Sequence, residues 1–141
     1  MANTVMTSFK SELLSGVNDF ATAGDTFKLS LYTSSSTINN ASTTVYTTSD
    51  EVADSGSYSA GGGDLANQAV STDGTTALVD FDDLSFTSAT ITARYALIYN
   101  SSDSNKAVCV LDFGTDQTST SGTFTIQFPS AGASTAIIRV A

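Results

Sequence analysis

Arg94-Tyr-Ala-Leu-Ile-Tyr-Asn100 and Lys106-Ala-Val-Cys-Val-Leu-Asp-Phe113, joined by Ser101-Ser-Asp-Ser-Asn105, decide the fold class. Two short apolar runs flank five polar turn-formers, which reads as strand, turn, strand. Working outward, Thr123–Phe128 places Phe124, Ile126 and Phe128 on one face at period two, and Ala136–Val140 ends with Ile137, Ile138 and Val140. Upstream, Phe27, Leu29 and Leu31 alternate with Lys28, Ser30 and Tyr32 in Thr26–Thr33, a half-buried strand. Leu65–Val70 and Thr76–Phe81 flank Thr72-Asp73-Gly74-Thr75, where Asp-Gly is a hairpin signal. Leu84–Thr87 and Thr90–Thr92 are shorter strands. Residues 34–63 form a long polar excursion with one short strand at Thr43–Thr47, ended by Gly61-Gly62-Gly63. Seven to nine short strands with polar turns predict an antiparallel β-sandwich, jelly-roll-like, in one domain over 1–141, with the strands in 26–141.

The amino-terminal segment reads differently. Met6, Phe9, Leu13, Val17 and Phe20 recur at spacings of three and four, which predicts an amphipathic α-helix within residues 1–22. Thr7 or Ser8 would cap its start, and Ala23-Gly24-Asp25 would break it. A helix this short needs a docking partner for its apolar face.

Composition removes much of catalysis. The 141 residues contain no histidine, no tryptophan and one cysteine, so Ser-His, Cys-His and His-metal arrangements within one chain are excluded. Five basic against 14 acidic residues give a net charge of −9, which speaks against nucleic acid as a partner. Ser and Thr number 44, yet 40% of residues are apolar and there is one proline, so the hydroxyls are expected on the solvent faces of strands rather than in a disordered stalk. No signal-peptide pattern or run long enough to span a membrane is visible. The expectation is a protein made in a cytoplasm with no membrane partner.

The remaining motifs have plain readings. Asp112-Phe113-Gly114 copies a kinase magnesium motif without the rest of a kinase, and reads as a strand ending at a glycine turn. Gly61-Gly62-Gly63 lacks the Lys-Ser/Thr of a phosphate loop and reads as a flexible or closely packed turn. Asp80, Asp82 and Asp83 form the densest acid cluster, with Asp112 and Asp116 a second pair, but neither has EF-hand spacing. Nothing among the 14 acids selects a glycosidase pair. Cys109, inside Val108-Cys-Val-Leu111, reads as a small core hydrophobe. Asn40-Ala-Ser42 and Asn100-Ser-Ser102 match the glycosylation sequon but read as polar turns. No catalytic, cofactor-binding or metal-binding residue is therefore assigned, no cofactor is expected, and the chain is expected not to be an enzyme.

Thr26-Phe-Lys-Leu-Ser-Leu-Tyr-Thr-Ser34, Ala96-Leu-Ile-Tyr-Asn-Ser101, Ala107-Val-Cys-Val-Leu-Asp-Phe-Gly114, Gly122-Thr-Phe-Thr-Ile-Gln-Phe-Pro129 and Ala136-Ile-Ile-Arg-Val140, taken together, resemble small virion structural proteins of tailed bacteriophages. The resemblance covers most of the chain and is weakest over 34–63. It implies a capsid decoration (cement) protein on the outer surface of the shell, with the major capsid protein and copies of itself, as a homotrimer, for partners. A rival expectation is a tail- or fibre-associated module that recognises host-surface glycan with its long loops, with Tyr46 and Tyr58 the first residues to test for sugar stacking. A third is a tail adaptor subunit whose amino-terminal helix docks elsewhere in the virion. Thr26–Thr33 and Ala136–Val140 are the expected exposed strand edges.

Overall fold

The structure, a computed structural model, describes residues 2–141. It is mainly β, with two antiparallel sheets and one short amino-terminal helix. The strands are β1 (Ala2–Val5), β2 (Phe27–Tyr32), β3 (Gly63–Asp64), β4 (Ala69–Asp73), β5 (Thr76–Asp80), β6 (Leu84–Asn100), β7 (Lys106–Ile126) and β8 (Ile138–Val140). The large sheet runs β1-β7-β6-β2-β3 and the small one β4-β5-β8.

The backbone of the large sheet is one long hairpin. β6 and β7, of 17 and 21 residues, pair from Asn100↔Lys106 to Leu84↔Ile126. The sequence suggests five separate strands over this stretch. Ser88, Gly114 and Ser121 take positive φ, but inside the ladder, where they are absorbed at register shifts and do not reverse the chain. Phe113 to Asp116 bulge out opposite Arg94, since Ala93 pairs Gln117 and Tyr95 pairs Asp112.

The helix α1 spans Thr7–Leu14, which corrects the expected helix over 1–22 at both ends. Ala2–Val5 is extended because it completes the edge of β7, with Val5 opposite Cys109. Gly16, at φ +73°, ends the helix: its N–H donates to Leu13 O at 3.3 Å and that of Val17 to Glu12 O at 2.9 Å, a Schellman closure. Met6, not Thr7 or Ser8, occupies the N-cap, and no side chain caps it. Instead the N–H of Thr7 donates to Ala41 O.

Phe9 and Phe20 are buried, but Phe20 reaches the core from irregular chain beyond the helix. It stacks on Phe27 at 4.3 Å, meets Phe9 edge-on at 6.0 Å and touches Phe81 at 6.4 Å, so it joins helix and strands in one core. The Asp-Gly hairpin is present between β4 and β5, shifted by one residue. Asp73 pairs Thr76, so the loop is Gly74-Thr75 with positive φ at Gly74 alone, the type II′ pattern.

Two expectations about strand exposure are corrected. Thr26–Thr33 is no edge, because β2 pairs β6 on one side and β3 on the other. Nor is it half-buried, since Ser30 and Tyr32 on its supposedly solvated face are fully covered. The edges among the described residues are β1 and β3 in the large sheet and β4 and β8 in the small one.

Candidate functional site

The cover over β2 is the 34–63 excursion. Its chain returns along the sheet, with Thr33 N donating to Asp50 O and Val52 N to Leu31 O. Only a single bridge, Val45↔Lys106, stands where the strand Thr43–Thr47 was expected. Glu51 is the centre of the attachment. Its Oε2 accepts from Tyr46 Oη at 2.6 Å, and its Oε1 accepts from Tyr58 Oη at 2.7 Å and from the N–H of Gly61 at 2.7 Å. Tyr58 Oη in turn accepts the N–H of Leu31 at 2.9 Å, Tyr99 donates to Gly61 O at 2.6 Å, and Tyr32 donates to Thr47 O at 2.6 Å.

Burial raises the phenols of Tyr32 and Tyr99 to about 12, with the Glu51 charge adding to the rise. It also pushes those of Tyr46 and Tyr58 up, and the bond each makes to Glu51 adds to it. This removes Tyr58 from the two residues to be tested for sugar stacking. Tyr58 is 1% exposed and wedged edge-on against Phe86, and the Tyr46 ring is stacked on Tyr99 at 4.8 Å. Tyr58 presents no free face, and half-buried Tyr46 has one face taken by Tyr99.

The glycine triplet belongs to the same assembly and takes the closely packed reading. Gly62 has φ +78°, and a Cβ there would overlap the Leu29 carbonyl.

Three of the acids named from sequence hold neighbouring side chains or backbone. Asp82 accepts from Asn67 Nδ2 at 2.6 Å, and Asp83 from the N–H of Phe128 at 2.8 Å. Asp112 accepts from Arg94 Nε at 2.7 Å and from the N–H of Gly114 at 2.8 Å. The Arg94 bond holds the Asp112 carboxyl below its ordinary range. Asp80 ends β5, and Asp116 lies exposed in the bulge. Among the described residues no three His, Cys, Asp or Glu side chains converge as metal ligands. Cys109 is fully buried, and its thiol is pushed up to about 12 by that burial. Asn100 is buried, its Nδ2 bonded to Asn18 Oδ1 and Asp25 Oδ2, so the second sequon cannot carry a glycan in the folded chain.

Two concavities remain. A cleft of about 420 Å³ with a mixed polar and apolar lining lies along the outer half of β7, lined by Phe113, Gln117, Thr118 and Thr123 to Gln127. A second cleft of about 420 Å³ separates the Leu13–Ala21 segment from the small sheet, and its lining is almost wholly apolar. Register explains that lining. Val70, Val79 and Ile138 stand directly opposite one another across the three strands, and Ala77 and Val140 share their face. Val79 and Ile138 reach the core, whereas Val70 and Val140 overhang it at 58% and 55% exposure.

No family model, curated protein or solved structure matches this chain. The apolar cleft is thus assessed on its own chemistry. Of the four large hydrophobic residues exposed among the described residues, Val70 and Val140 line it, whereas Leu14 and Val45 do not. Such concentration of apolar surface beside open strand edges is what an interface provides. Sequence periodicity could not find it, because alternation marks Val70 and Val140 as core.

Proposed function

We propose that this chain is a non-enzymatic structural subunit of a tailed-phage virion, a decoration protein that binds the outer face of the capsid and bridges capsid subunits and copies of itself. The observation that carries the reading is the gathering of exposed apolar side chains at one groove, beside the unpaired edges of β4 and β8. The sequence resemblance supplies the virion. The acids support a structural reading because they are spent on turns and on one arginine, with no opposed pair across a cleft. A net charge of −9 favours the outer surface, since packaged phosphate would repel it.

Particle reconstruction together with quantitative mass spectrometry of purified virions tests this. External density and hundreds of copies per particle are expected, and the protein should remain bound near 1 M salt, where the Debye length falls to about 3 Å. Density inside the shell, a dozen copies or fewer, or release by salt alone would overturn it.

Recognition of host glycan is the second reading, and it rests on the mixed cleft of β7. Phe113, Phe124, Gln117 and Gln127 offer two aromatics and two amides among threonine hydroxyls there. Binding of neutral oligosaccharide, lost in Gln117→Ala, would favour it.

A further inference from the structure

We infer that the open edge of β7 beyond β1 pairs antiparallel with the same edge of a second copy, about a two-fold axis at Thr125. This deepens the assembly reading above and rests on it.

β1 covers the outer edge of β7 from Cys109 to Asp112, and among the described residues no strand pairs with that edge from Phe113 to Ile126. The direction of the free groups follows from β6. The N–H of Thr87 donates to Ser57 Oγ at 2.7 Å, and its C=O accepts the N–H of Ser57 at 3.0 Å, so its backbone faces away from β7. Backbone groups alternate sides along a strand. Phe86 therefore bonds its partner Phe124, and Thr125 turns its N–H and C=O outward. The Ser85–Thr125 hydroxyl bond of 2.8 Å fits this, since side chains lie closest in the pair that exchanges no backbone bonds. Thr123 and Gln127 stand two residues to either side and face the same way.

The mixed cleft is the space that a further strand would fill. A pocket on one sheet face meets every second residue of a strand. This one is lined by all five residues from Thr123 to Gln127, which places it along the edge.

Strand edges are ordinarily blunted by shortness, charge or proline. β1, β3, β4 and β8 have two to five residues each, which is protection by length. The edge from Gln117 to Gln127 is longer and carries no charged residue and no proline, on a chain of net charge −9. Two copies therefore meet there without opposed carboxylates, whereas over most of their surface they repel. A two-fold normal to the sheet sets the strand antiparallel to itself and closes the contact at two copies. With the axis at Thr125, Thr125 faces Thr125 and Thr123 faces Gln127, so the outward backbone groups meet one another and the threonines form a favourable cross-strand pair.

Sedimentation equilibrium of the purified full-length chain over a concentration series tests the interface. Reversible dimer is expected. Thr125→Pro removes an outward N–H from each copy and leaves the β6 ladder its bonds, and should weaken association by about tenfold or more. Far-ultraviolet dichroism of the dilute variant should match wild type. Thr125→Lys sets two cations face to face across the axis, and should weaken association even if the proline variant fails to fold. Val70→Lys, on the edge strand β4, should change nothing, and neither should Gln117→Ala, the variant that tests glycan binding. A monomer at every concentration, wild-type association by folded Thr125→Pro or by Thr125→Lys, or equal weakening by Val70→Lys would overturn the interface. Monomeric protein that is abundant on particles would remove this interface and leave the virion reading standing; dimeric protein absent from particles would do the reverse.

Discussion

Tyr58 donates its phenolic O–H to Glu51 at 2.7 Å, and through that bond a long polar excursion becomes the lid of a central strand. The same oxygen of Tyr58 accepts the N–H of Leu31, so one phenol links the lid, the carboxylate and the backbone of β2. Because the partners lie 7 and 27 residues from Tyr58, the contact ties local to distant chain. Four observable consequences follow from this packing and the neighbouring geometry.

Removing the carboxylate should open the lid. Glu51→Ala leaves the hydroxyls of Tyr46 and Tyr58 and the N–H of Gly61 without their acceptor. A loss of about 3 kcal/mol is expected from chemical denaturation, as several partly buried donors lose a charged partner together. Glu51→Gln, which keeps one acceptor oxygen, should lose less.

Alkali should unfold the protein between the ordinary phenol value of 10.0 and about 12, where Tyr32 and Tyr99 ionise in the folded state. The sign follows from linkage. A phenol raised in the folded state holds its proton more tightly there than in the unfolded chain, so its stabilisation is complete below 10.0 and is lost as pH rises toward 12. Tyrosinate absorbance and far-ultraviolet dichroism should change together across that window. Ionisation of these phenols with the sheet signal intact would refute the buried placement.

The glycines should separate sharply on substitution. Gly62→Ala meets the Leu29 carbonyl as well as a left-handed backbone, and should fail to fold or lose more than about 3 kcal/mol. Gly74→Ala has positive φ but nothing within 4 Å of the added carbon, so only the backbone term of about 1–2 kcal/mol applies. Thermal melts of the two variants should differ accordingly.

Cys109 should be silent to thiol reagents until the protein unfolds. It is fully buried beneath the β1–β7 pairing, and its thiol is raised to about 12, so the reactive thiolate is scarce at neutral pH. Labelling rates should follow the unfolded fraction across a denaturant series. Rapid labelling in buffer would show that β1 detaches readily.

The sequence carried the class of the fold and the hairpin at 94–113, because branched and aromatic runs separated by turn-formers have a direct physical meaning. It did not carry continuity. Gly114 and Ser121 look like turns by residue type, and only pairing with β6 turns them into bulges within one strand. β1 was not legible at all, since Ala2–Val5 has no pattern of its own and is extended because β7 offers it an edge. The tyrosines reverse the sequence reading for a related reason. Tyr32 alternates onto the polar face of its strand, and only the lid that folds back from 34–63 makes that face interior. The groove shares this origin: it exists because the small sheet extends past the core it covers.

The pairing of β1 with β7 has a consequence for how the chain comes into being. Ala2 lies opposite Asp112 and Val5 opposite Cys109, contacts that span more than a hundred residues. During synthesis β1 must wait, unpaired, until Cys109 to Asp112 of β7 have emerged from the ribosome. β5 waits in the same way for β8, over the shorter separation from Ala77 to Val140. Neither sheet can be completed during early elongation, and closing such long loops makes folding slow compared with a helical protein of this size. Where many copies are made at once, the nascent edge of β7 is the place where one chain could take the first strand of another.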